Sequence, residues 1–365
     1  MKNILLNRDL KKDITFYCED IVERQLIEPL YQVFKKKEYK VKITNDLDET
    51  SEIGYYCTPS THVKKVNSKF SIISLGGMDQ GKLFWPNFWY KEPWSKFDLG
   101  ILPGKFWQKM WQNSTWYTGA LPKIGVVITG WPKTQNIIKN FPKRKYLNQK
   151  HNLNILYAPC FENDEKGINV VKSIQELKVN LLVKHLPWNQ KNEKIRYKDI
   201  RSNIAKMIRF TKNNFKNNFK IYNSKSNIFE IFDKADLLIT DESSLIFESL
   251  LFNVPSLSCE DWLMRSNNKN SPRLIKQNKS VCFYTKESFL KEKIQEIILN
   301  YVNYYDFVKN KKKEYFSFID TSVDNIFKLI DEITENKLVK NCEVPEKKVN
   351  FLKSLIVNFK KKLRF

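Results

Sequence analysis

Short apolar runs alternate with amphipathic stretches along the first part of the chain. The run at 13–18 is rich in β-branched and aromatic residues, which predicts a buried strand. From about residue 20 to residue 37, apolar side chains recur at helical spacing despite Pro29. Further strand-like runs follow at 40–44, 53–57 and 70–75. This strand–helix–strand alternation predicts a parallel sheet with helices on its faces.

The same alternation starts again after residue 150. Strands are predicted at 153–159, 180–184, 221–222, 236–240 and 256–258. Helices are predicted at 170–177, 228–234 and 243–252, and 199–218 is a basic, Asn-rich helix or loop. The fold class is therefore α/β, and we expect two doubly wound, Rossmann-like domains that face a cleft.

The length also fits two domains of ordinary size. We place the first domain at 1–145, the second at 146–335 and a separate tail at 336–365. The tail is basic: its last nineteen residues carry seven Lys or Arg side chains and no acidic one. Its large apolar residues recur at helical spacing at Val349, Leu352, Leu355, Ile356, Phe359 and Leu363. Such a helix is typical of an anchor on an anionic membrane surface, the alternative being a helix that packs back on the protein.

The whole chain is strongly basic, with 63 Lys+Arg against 40 Asp+Glu and a formal net charge of +23. Lys is scattered through nearly every segment, so a solvated Lys-rich surface is one explanation and a polyanionic partner is the other. A basic nucleic-acid-binding module without catalysis is the third hypothesis for this chain, but no zinc-finger spacing or RNP-type aromatic motif supports it. At 42% hydrophobic and 14% aromatic residues, the composition excludes a disordered chain.

Two further patterns limit the location and the cofactors. No apolar stretch approaches 18 residues, and the first apolar run is too short for a secretory signal, so we expect the chain to stay in the cytosol. The six cysteines form no C-x-x-C pair and have no His at ligand spacing. They are predicted to be buried reduced thiols rather than zinc ligands.

Glycine and tryptophan are concentrated in the first half, with nine of the ten glycines between residues 54 and 130. The segment 76–82 (GGMDQGK) follows a predicted strand, which is where α/β sheets place ligand loops, although its spacing is not that of a P-loop. Seven of the nine tryptophans lie between 85 and 131. Packing in the core is the favoured interpretation for most of them, and stacking on sugars or a membrane interface is the alternative.

The segment 235–250 carries the most chemistry. A predicted strand ends at Thr240 and Asp241, and Ser243 and Ser244 then open a helix. Hydroxyls and unpaired backbone N–H groups at a helix start can bind phosphate. Glu248, one turn later, could accept hydrogen bonds from ribose or polyol hydroxyls. An Asp/Ser cap that needs no ligand is the alternative.

The sequence ADLLITDESSLIFESLLFNVPSL at 235–257 resembles the donor-site signature of the CDP-glycerol glycerophosphotransferases, the teichoic-acid-type polymerases of GT-B fold. Only Glu242 departs at a core position, where the family has Tyr. Segments 97–104, 127–133 and 156–159 resemble further family motifs in the expected order. The similar segments together cover about residues 70–260.

The resemblance implies a transferase that moves glycerol phosphate from CDP-glycerol, or a similar polyol phosphate from a CDP-activated donor, to a hydroxyl of a membrane-linked cell-surface glycan or polymer. It implies no permanently bound cofactor and leaves a metal requirement open. It places the acceptor over the first domain, at the loop with Gly76, Gly77 and Lys82. It places the donor on the second domain, where the implied phosphate and nucleotide contacts are Lys184, Thr240, Asp241, Ser243, Ser244 and Glu248.

Both family histidines are altered in this chain. Gly76 occupies the position of the catalytic base, a His in an H-G loop. An acceptor hydroxyl needs a base near the donor phosphorus. Asp79 is the nearest titratable candidate, ahead of His62 and Asp98, and a different donor or an inactive protein are the alternatives.

The second family histidine belongs to a K-x-H-P motif that binds the donor phosphate. Here Lys184 and Pro187 match the motif, and His185 precedes the expected position by one residue. We expect His185 to take part in catalysis and to contact the diphosphate together with Lys184. A surface histidine beside a loop proline is the alternative.

The loss of the H-G histidine strengthens one rival within the GT-B fold, a glycosyltransferase that uses a nucleotide sugar in capsule or lipopolysaccharide synthesis. The favoured prediction is a cytoplasmic enzyme of cell-envelope biosynthesis, peripheral on the inner face of the membrane. Its expected partners are a nucleotide-activated donor, a lipid-linked or cell-surface glycan acceptor and an anionic membrane bound by 347–365. Nucleic acid is not an expected partner.

Overall fold

The computed structural model describes residues 1–18, 21–57, 66–78, 93–137, 152–187, 199–263, 276, 278–346 and 348–362. The strands are β1 (Lys2–Leu5), β2 (Asp13–Tyr17), β3 (Lys40–Thr44), β4 (Ser51–Cys57), β5 (Ser68–Ser74), β6 (Leu99–Leu102), β7 (Gly125–Ile128), β8 (Leu153–Tyr157), β9 (Val179–Val183), β10 (Phe219–Ile221), β11 (Leu237–Ile239), β12 (Ser256–Cys259), β13 (Phe283–Thr285) and β14 (Leu338–Cys342). The helices are α1 (Ile21–Lys36), α2 (Lys105–Ser114), α3 (Lys166–Ile174), α4 (Ile200–Asn214), α5 (Ile228–Phe232), α6 (Leu245–Leu251), α7 (Leu290–Leu299), α8 (Tyr301–Tyr315), α9 (Ser322–Asn336) and α10 (Phe351–Lys362).

The first compact unit consists of Met1–Pro142 and Lys313–Phe365. Its main sheet has six parallel strands in the order β3-β2-β4-β5-β6-β7. Apolar side chains such as Ile14, Phe16 and Ile72 are fully buried in this unit. The chain adds β3 on one side of β2 and β4 on the other, so the order reverses between β2 and β4.

The second compact unit is Lys143–Lys312. Its six parallel strands have the order β10-β9-β8-β11-β12-β13. Ile155 pairs with Leu181 on one side and with Leu237 on the other, and all three are buried. The order reverses between β8 and β11, and parallel sheets bind ligands beyond the carboxyl ends of strands at such a switch point.

Two doubly wound α/β units are thus confirmed, but two segments belong elsewhere than predicted. Residues 313–335, predicted in the second domain, belong to the first unit. There α9 packs beside α1, and the Tyr39 hydroxyl donates to Asp331 Oδ1 at 3.0 Å. The predicted tail begins with β14, which pairs antiparallel with β1. The local sequence does not predict either contact, because the two partners in each contact lie about 300 residues apart along the chain.

The interpretations of tryptophan and cysteine agree with the structure. Trp94, Trp107, Trp111 and Trp131 are at most 2% exposed, which confirms core packing for these four. All six cysteines are reduced thiols, five of them buried and Cys160 half-buried. Among the described residues, no helix is both long and apolar enough to cross a bilayer. The same residues contain no group of three or more His, Cys, Asp or Glu side chains that could hold a metal ion.

Candidate functional site

Three loops meet at the carboxyl edge of the second sheet. They follow the adjacent strands β9, β8 and β11 and contain residues 184–187, 158–165 and 240–244. Because the strands are parallel and β8 lies between the other two, the loop after β8 contacts both neighbours. Most of the residues predicted from the sequence to contact the donor lie in these three loops.

His185 is held by a carboxylate from the loop after β8. Its Nε2 lies 3.0 Å from Glu162 Oε2, and both side chains are buried. The same carboxylate accepts from the Tyr157 hydroxyl at 2.9 Å and from the Gly167 N–H at 2.9 Å. Burial and the nearby Glu162 carboxylate raise the pKa of Tyr157 well above its ordinary value, so the phenol remains a hydrogen-bond donor.

Gly167 allows this carboxylate to approach the backbone. A Cβ atom at this position would lie 2.5 Å from Met207 Cγ and 2.9 Å from Glu162 Oε1. Only glycine leaves that space open. Gly167 is the one glycine of the chain that lies beyond residue 130.

Asp241 connects the loop after β11 to the loop after β8. Its carboxylate accepts from the backbone N–H groups of Cys160 at 2.6 Å and Phe161 at 2.9 Å, and it is fully buried. Lys166 Nζ, also fully buried, lies 3.7 Å from Asp241 Oδ2 and 5.6 Å from the centre of the Trp262 ring. A buried carboxylate with these partners orders the backbone of the loop.

The hydroxyls of the predicted phosphate site have mixed roles. Thr240 is buried and donates to the Ala158 carbonyl at 2.7 Å, which is a second link between the loops after β11 and β8. Ser243 Oγ accepts from the Leu245 N–H at 3.3 Å at the start of α6. Ser244 is half-buried, and its hydroxyl donates to Glu248 Oε1 at 3.2 Å. Ser243 and Ser244 therefore lie just before α6, and Glu248 lies in the first turn of that helix.

Lys184 and His185 have partners on opposite sides of β9. Lys184 Nζ donates to the Ser224 carbonyl at 3.1 Å, in the loop after β10, whereas His185 contacts the loop after β8. The structure thus brings His185 together with Glu162 and does not pair its ring with the Lys184 ammonium group.

Glu242, which departs from the family signature, is buried, and neutral donors among the described residues bond to its carboxylate. Asn278 Nδ2 donates to Oε2 at 2.8 Å, and the Tyr284 hydroxyl donates to Oε1 at 2.9 Å. These contacts direct the carboxylate toward β13, which is separated from β11 in the sheet by β12. The substitution is therefore accommodated by partners within the second unit.

The acceptor-side loop is only partly described. Gly76 and Gly77 follow β5 and are half-exposed, and the Trp131 indole N–H donates to the neighbouring Leu75 carbonyl at 3.2 Å. Asp79, Lys82 and His62 lie outside the described residues.

Asp98, the remaining candidate base, lies at the wrong edge of its sheet. It precedes β6 and accepts from the Ser71 N–H at 2.8 Å and the Ser71 hydroxyl at 2.7 Å, five residues before Gly76 on the β5 side. At about 3.3 Å per residue, that places it about 16 Å from Gly76 along the strand direction. Burial alone would raise the pKa of Asp98, but hydrogen bonds from Ser71 and Arg8 hold it below its ordinary value. We conclude that Asp98 is an ionised structural residue and not a base.

The sequence interpretation missed Glu162, Tyr157 and Lys166. Glu162 and His185 are 23 residues apart, in loops without periodicity, so no spacing rule connects them. Two signals were available: Glu162 follows the first strand of the unit, next to the switch point, and an isolated Gly167 follows it closely.

The last helix of the first unit has an exposed apolar side. Its exposed residues include Phe351 at 71%, Leu352 at 72%, Leu355 at 64% and Phe359 at 64%. Ser354 and Val357 are buried instead, and the Ser354 hydroxyl donates to the Trp116 carbonyl at 3.3 Å. The largest apolar residues of this helix therefore face away from the protein.

Comparisons with known proteins fit this architecture. A family model described as CDP-Glycerol:Poly(glycerophosphate) glycerophosphotransferase matches residues 86–327. A variant of the wall teichoic acid polymerase TagF is 14% identical over 90% of each chain, with a TM-score of 0.56. The S. aureus MnaA–UDP co-structure is 12% identical over 92% of this chain and 100% of the other, with a TM-score of 0.58. These similarities identify the fold as GT-B. No curated protein is significantly similar to this chain in sequence.

Proposed function

The chain belongs to the CDP-glycerol:poly(glycerophosphate) glycerophosphotransferase family and is a transferase, and on this premise we propose that it builds a teichoic-acid-like polymer. The donor is CDP-glycerol, and the acceptor is a hydroxyl of a membrane-linked cell-surface glycan or polymer. A TagF structure obtained after a CDPG soak, 14% identical with a TM-score of 0.52, supports a donor of this type for the shared fold.

In the proposed reaction, the acceptor hydroxyl oxygen attacks the phosphorus of the glycerol phosphate group. The bond from that phosphorus to the oxygen of CMP breaks, CMP leaves with the electron pair, and the hydroxyl proton passes to a base. Phosphoryl transfer of this kind depends mainly on positioning and on charge stabilisation. We assign the donor to the carboxyl edge of the second sheet and, from the sequence, the base to Asp79, five residues after the end of β5.

The observation that carries this assignment is the buried polar network at the β8/β11 switch point. There His185 is held by Glu162, and Asp241 orders residues 160 and 161. We assign His185 and Lys184 to the donor diphosphate, and the hydroxyls of Ser243 and Ser244 to its oxygens. Glu248 accepts from the donor's hydroxyl groups. Thr240 and Asp241 have a structural role in this proposal, because their side chains form hydrogen bonds that connect the loop after β11 to the loop after β8.

The direct test is release of CMP from purified protein. We expect turnover with CDP-glycerol, and none with UDP-, GDP- or CMP-sugars, in the presence of a polyol phosphate acceptor. CDP-ribitol tests how closely the polyol is recognised. Strict dependence on a sugar nucleotide would contradict the proposal and favour the rival glycosyltransferase, which the glycine at position 76 keeps as the second candidate.

We further propose that α10 docks on an anionic membrane. The support is the exposed apolar side of α10 together with the seven basic residues and no acidic residue in 347–365. Apolar burial and attraction to anionic lipid act together in such helices. This arrangement would hold the enzyme near a lipid-linked acceptor.

Vesicle co-sedimentation tests the docking. We expect the chain to bind vesicles that contain anionic lipid and not vesicles of phosphatidylcholine alone. The double variant Leu355→Ser/Phe359→Ser should lose most of this binding. Leu299→Ser is the matched control, because Leu299 is 83% exposed at the end of α7 in the second unit. Equal binding by the double variant and the control would contradict the proposal.

A further inference from the structure

We infer that Glu162 is a positioning residue that fixes the His185 imidazole for the donor phosphate. The inference rests on the proposed function for the identity of the donor, whereas the geometry of the pair stands on the structure. Neither residue lies in the signature segment at 235–257, and Glu162 lies in a loop with no periodic pattern.

The Glu162 carboxylate is fully engaged by the protein. The Tyr157 hydroxyl and the imidazole both contact Oε2, and the Gly167 N–H donates to Oε1. A buried carboxylate is costly without partners, and three partners hold this one in a single position. The Tyr157 ring also packs edge-on against the imidazole, with ring centres 6.1 Å apart. The ring of His185 is therefore constrained from two directions.

This arrangement determines which ring nitrogen can meet a ligand. Glu162 Oε2 already accepts a hydrogen bond from the Tyr157 hydroxyl, and we assign it the same accepting role toward His185, with the proton on Nε2. Among the described residues, none forms a hydrogen bond with Nδ1. Nδ1 is consequently the nitrogen left for the phosphate, which it binds as an N–H donor when the ring is protonated.

The loop after β8, which contains Glu162, also contacts the loop after β11. Cys160 and Phe161, immediately before Glu162, donate their N–H groups to Asp241. Residues 160–162 thus connect the loop after β11, which contains Ser243 and Ser244, with the loop after β9, which contains His185. Displacement of Glu162 would release the imidazole from the loop that Asp241 orders.

A double-mutant cycle on donor affinity tests the inference. We expect His185→Asn to raise the dissociation constant for CDP-glycerol about tenfold, by loss of a charge-assisted contact. Glu162→Gln should have a similar effect, and the double variant should be no worse than His185→Asn alone, because Glu162 acts through His185. Additive effects in the double variant would overturn the inference.

The matched control is Asp236→Asn. Asp236 is a buried carboxylate of the same sheet, 1% exposed, and accepts from the Asn154 N–H at 2.8 Å at the amino edge of β11. We expect it to reduce stability and leave the dissociation constant for CDP-glycerol within about twofold of the wild type. An equal loss of affinity in Asp236→Asn and Glu162→Gln would mean that Glu162 has only a structural role, against the inference.

Imidazole NMR separates failure of this inference from failure of the proposed function. The chain has three histidines, so ¹⁵N-histidine spectra can be assigned with His185→Asn. We expect a solvent-protected Nε2–H proton for His185 that moves upfield in Glu162→Gln, since an amide is a weaker acceptor than a carboxylate. An unchanged resonance would overturn the inference. Absence of CDP-glycerol binding by the wild type would overturn the proposed function, and the spectrum would then decide the role of Glu162 alone.

Discussion

Asp98 in the first unit and Asp241 in the second are similar residues at opposite edges of similar sheets. Each is at most 1% exposed, and each accepts a backbone N–H from a neighbouring strand or its loop. Each also has a cationic partner, Arg8 for Asp98 and Lys166 for Asp241. Asp98 precedes its strand, whereas Asp241 follows its strand.

In our proposal, the edge of the sheet, rather than the residue type, separates the structural carboxylate of Asp98 from the carboxylate of Asp241 at the proposed donor site. Parallel sheets bind ligands beyond the carboxyl ends of their strands. At the amino edge, the contacts of Asp98 stabilise the fold only. At the carboxyl edge, the contacts of Asp241 also order the loop that holds His185 in the proposed donor site.

The largest expected effect is that of Asp241→Asn. Removing one charge from a buried pair leaves Lys166 without its anionic partner, which costs about 3 kcal/mol or more. Hydrogen–deuterium exchange should show increased exchange in peptides of the second unit, with little change in the first. Donor affinity should fall as well, because residues 160–162 lose their attachment. A stable variant with normal donor affinity would remove the proposed distinction between the two aspartates.

Asp98→Asn should cost about 2 kcal/mol, the range for hydrogen bonds to a charged group. The cost is smaller because Arg8 and Lys123 are 40% and 54% exposed and can turn to water. Increased hydrogen–deuterium exchange should be confined to the first unit, and the dissociation constant for CDP-glycerol should not change. A tenfold loss of donor affinity in this variant would contradict the assignment of Asp98 to a structural role.

The sequence predicted the central strands of both units, because their buried positions produce clear apolar runs at 13–18 and 236–240. It could not predict the pairing of β1 with β14, where Leu5 is 77% exposed and the partners lie at opposite ends of the chain. The signature at 235–257 pointed to one loop of the proposed donor site. Glu162 could not be predicted, because its role depends on the contact with His185, which lies 23 residues away in the sequence.

Acid should remove the contribution of the Asp98 charge to stability. Its pKa is held below the ordinary value of 3.8, so the folded state binds the proton less readily than the unfolded chain. The stabilisation is complete above about pH 4 and is lost as the pH falls through the lower pKa of the folded state. The difference in unfolding free energy between wild type and Asp98→Asn should therefore shrink below pH 4. A gap that stays constant down to pH 2 would show that the charge of Asp98 does not contribute.

The smallest expected effect is that of removing the Ser243 and Ser244 hydroxyls, which tests the proposed donor site at the carboxyl edge of the second sheet. The double variant Ser243→Ala/Ser244→Ala removes two hydroxyls from the carboxyl edge of the second sheet without removing a buried charge. We expect CDP-glycerol to bind about tenfold more weakly, which corresponds to about 1.4 kcal/mol. The stability should change little, because Ser244 is half-buried and the Leu245 N–H that Ser243 accepts can bond to water. Ser71→Ala is the matched control, since its hydroxyl donates to Asp98 at the amino edge of the other sheet. Calorimetry that shows equal donor affinity for the double variant and the wild type would remove these hydroxyls from the proposed donor site, and the proposed contacts would then be those of His185, Lys184 and Glu248.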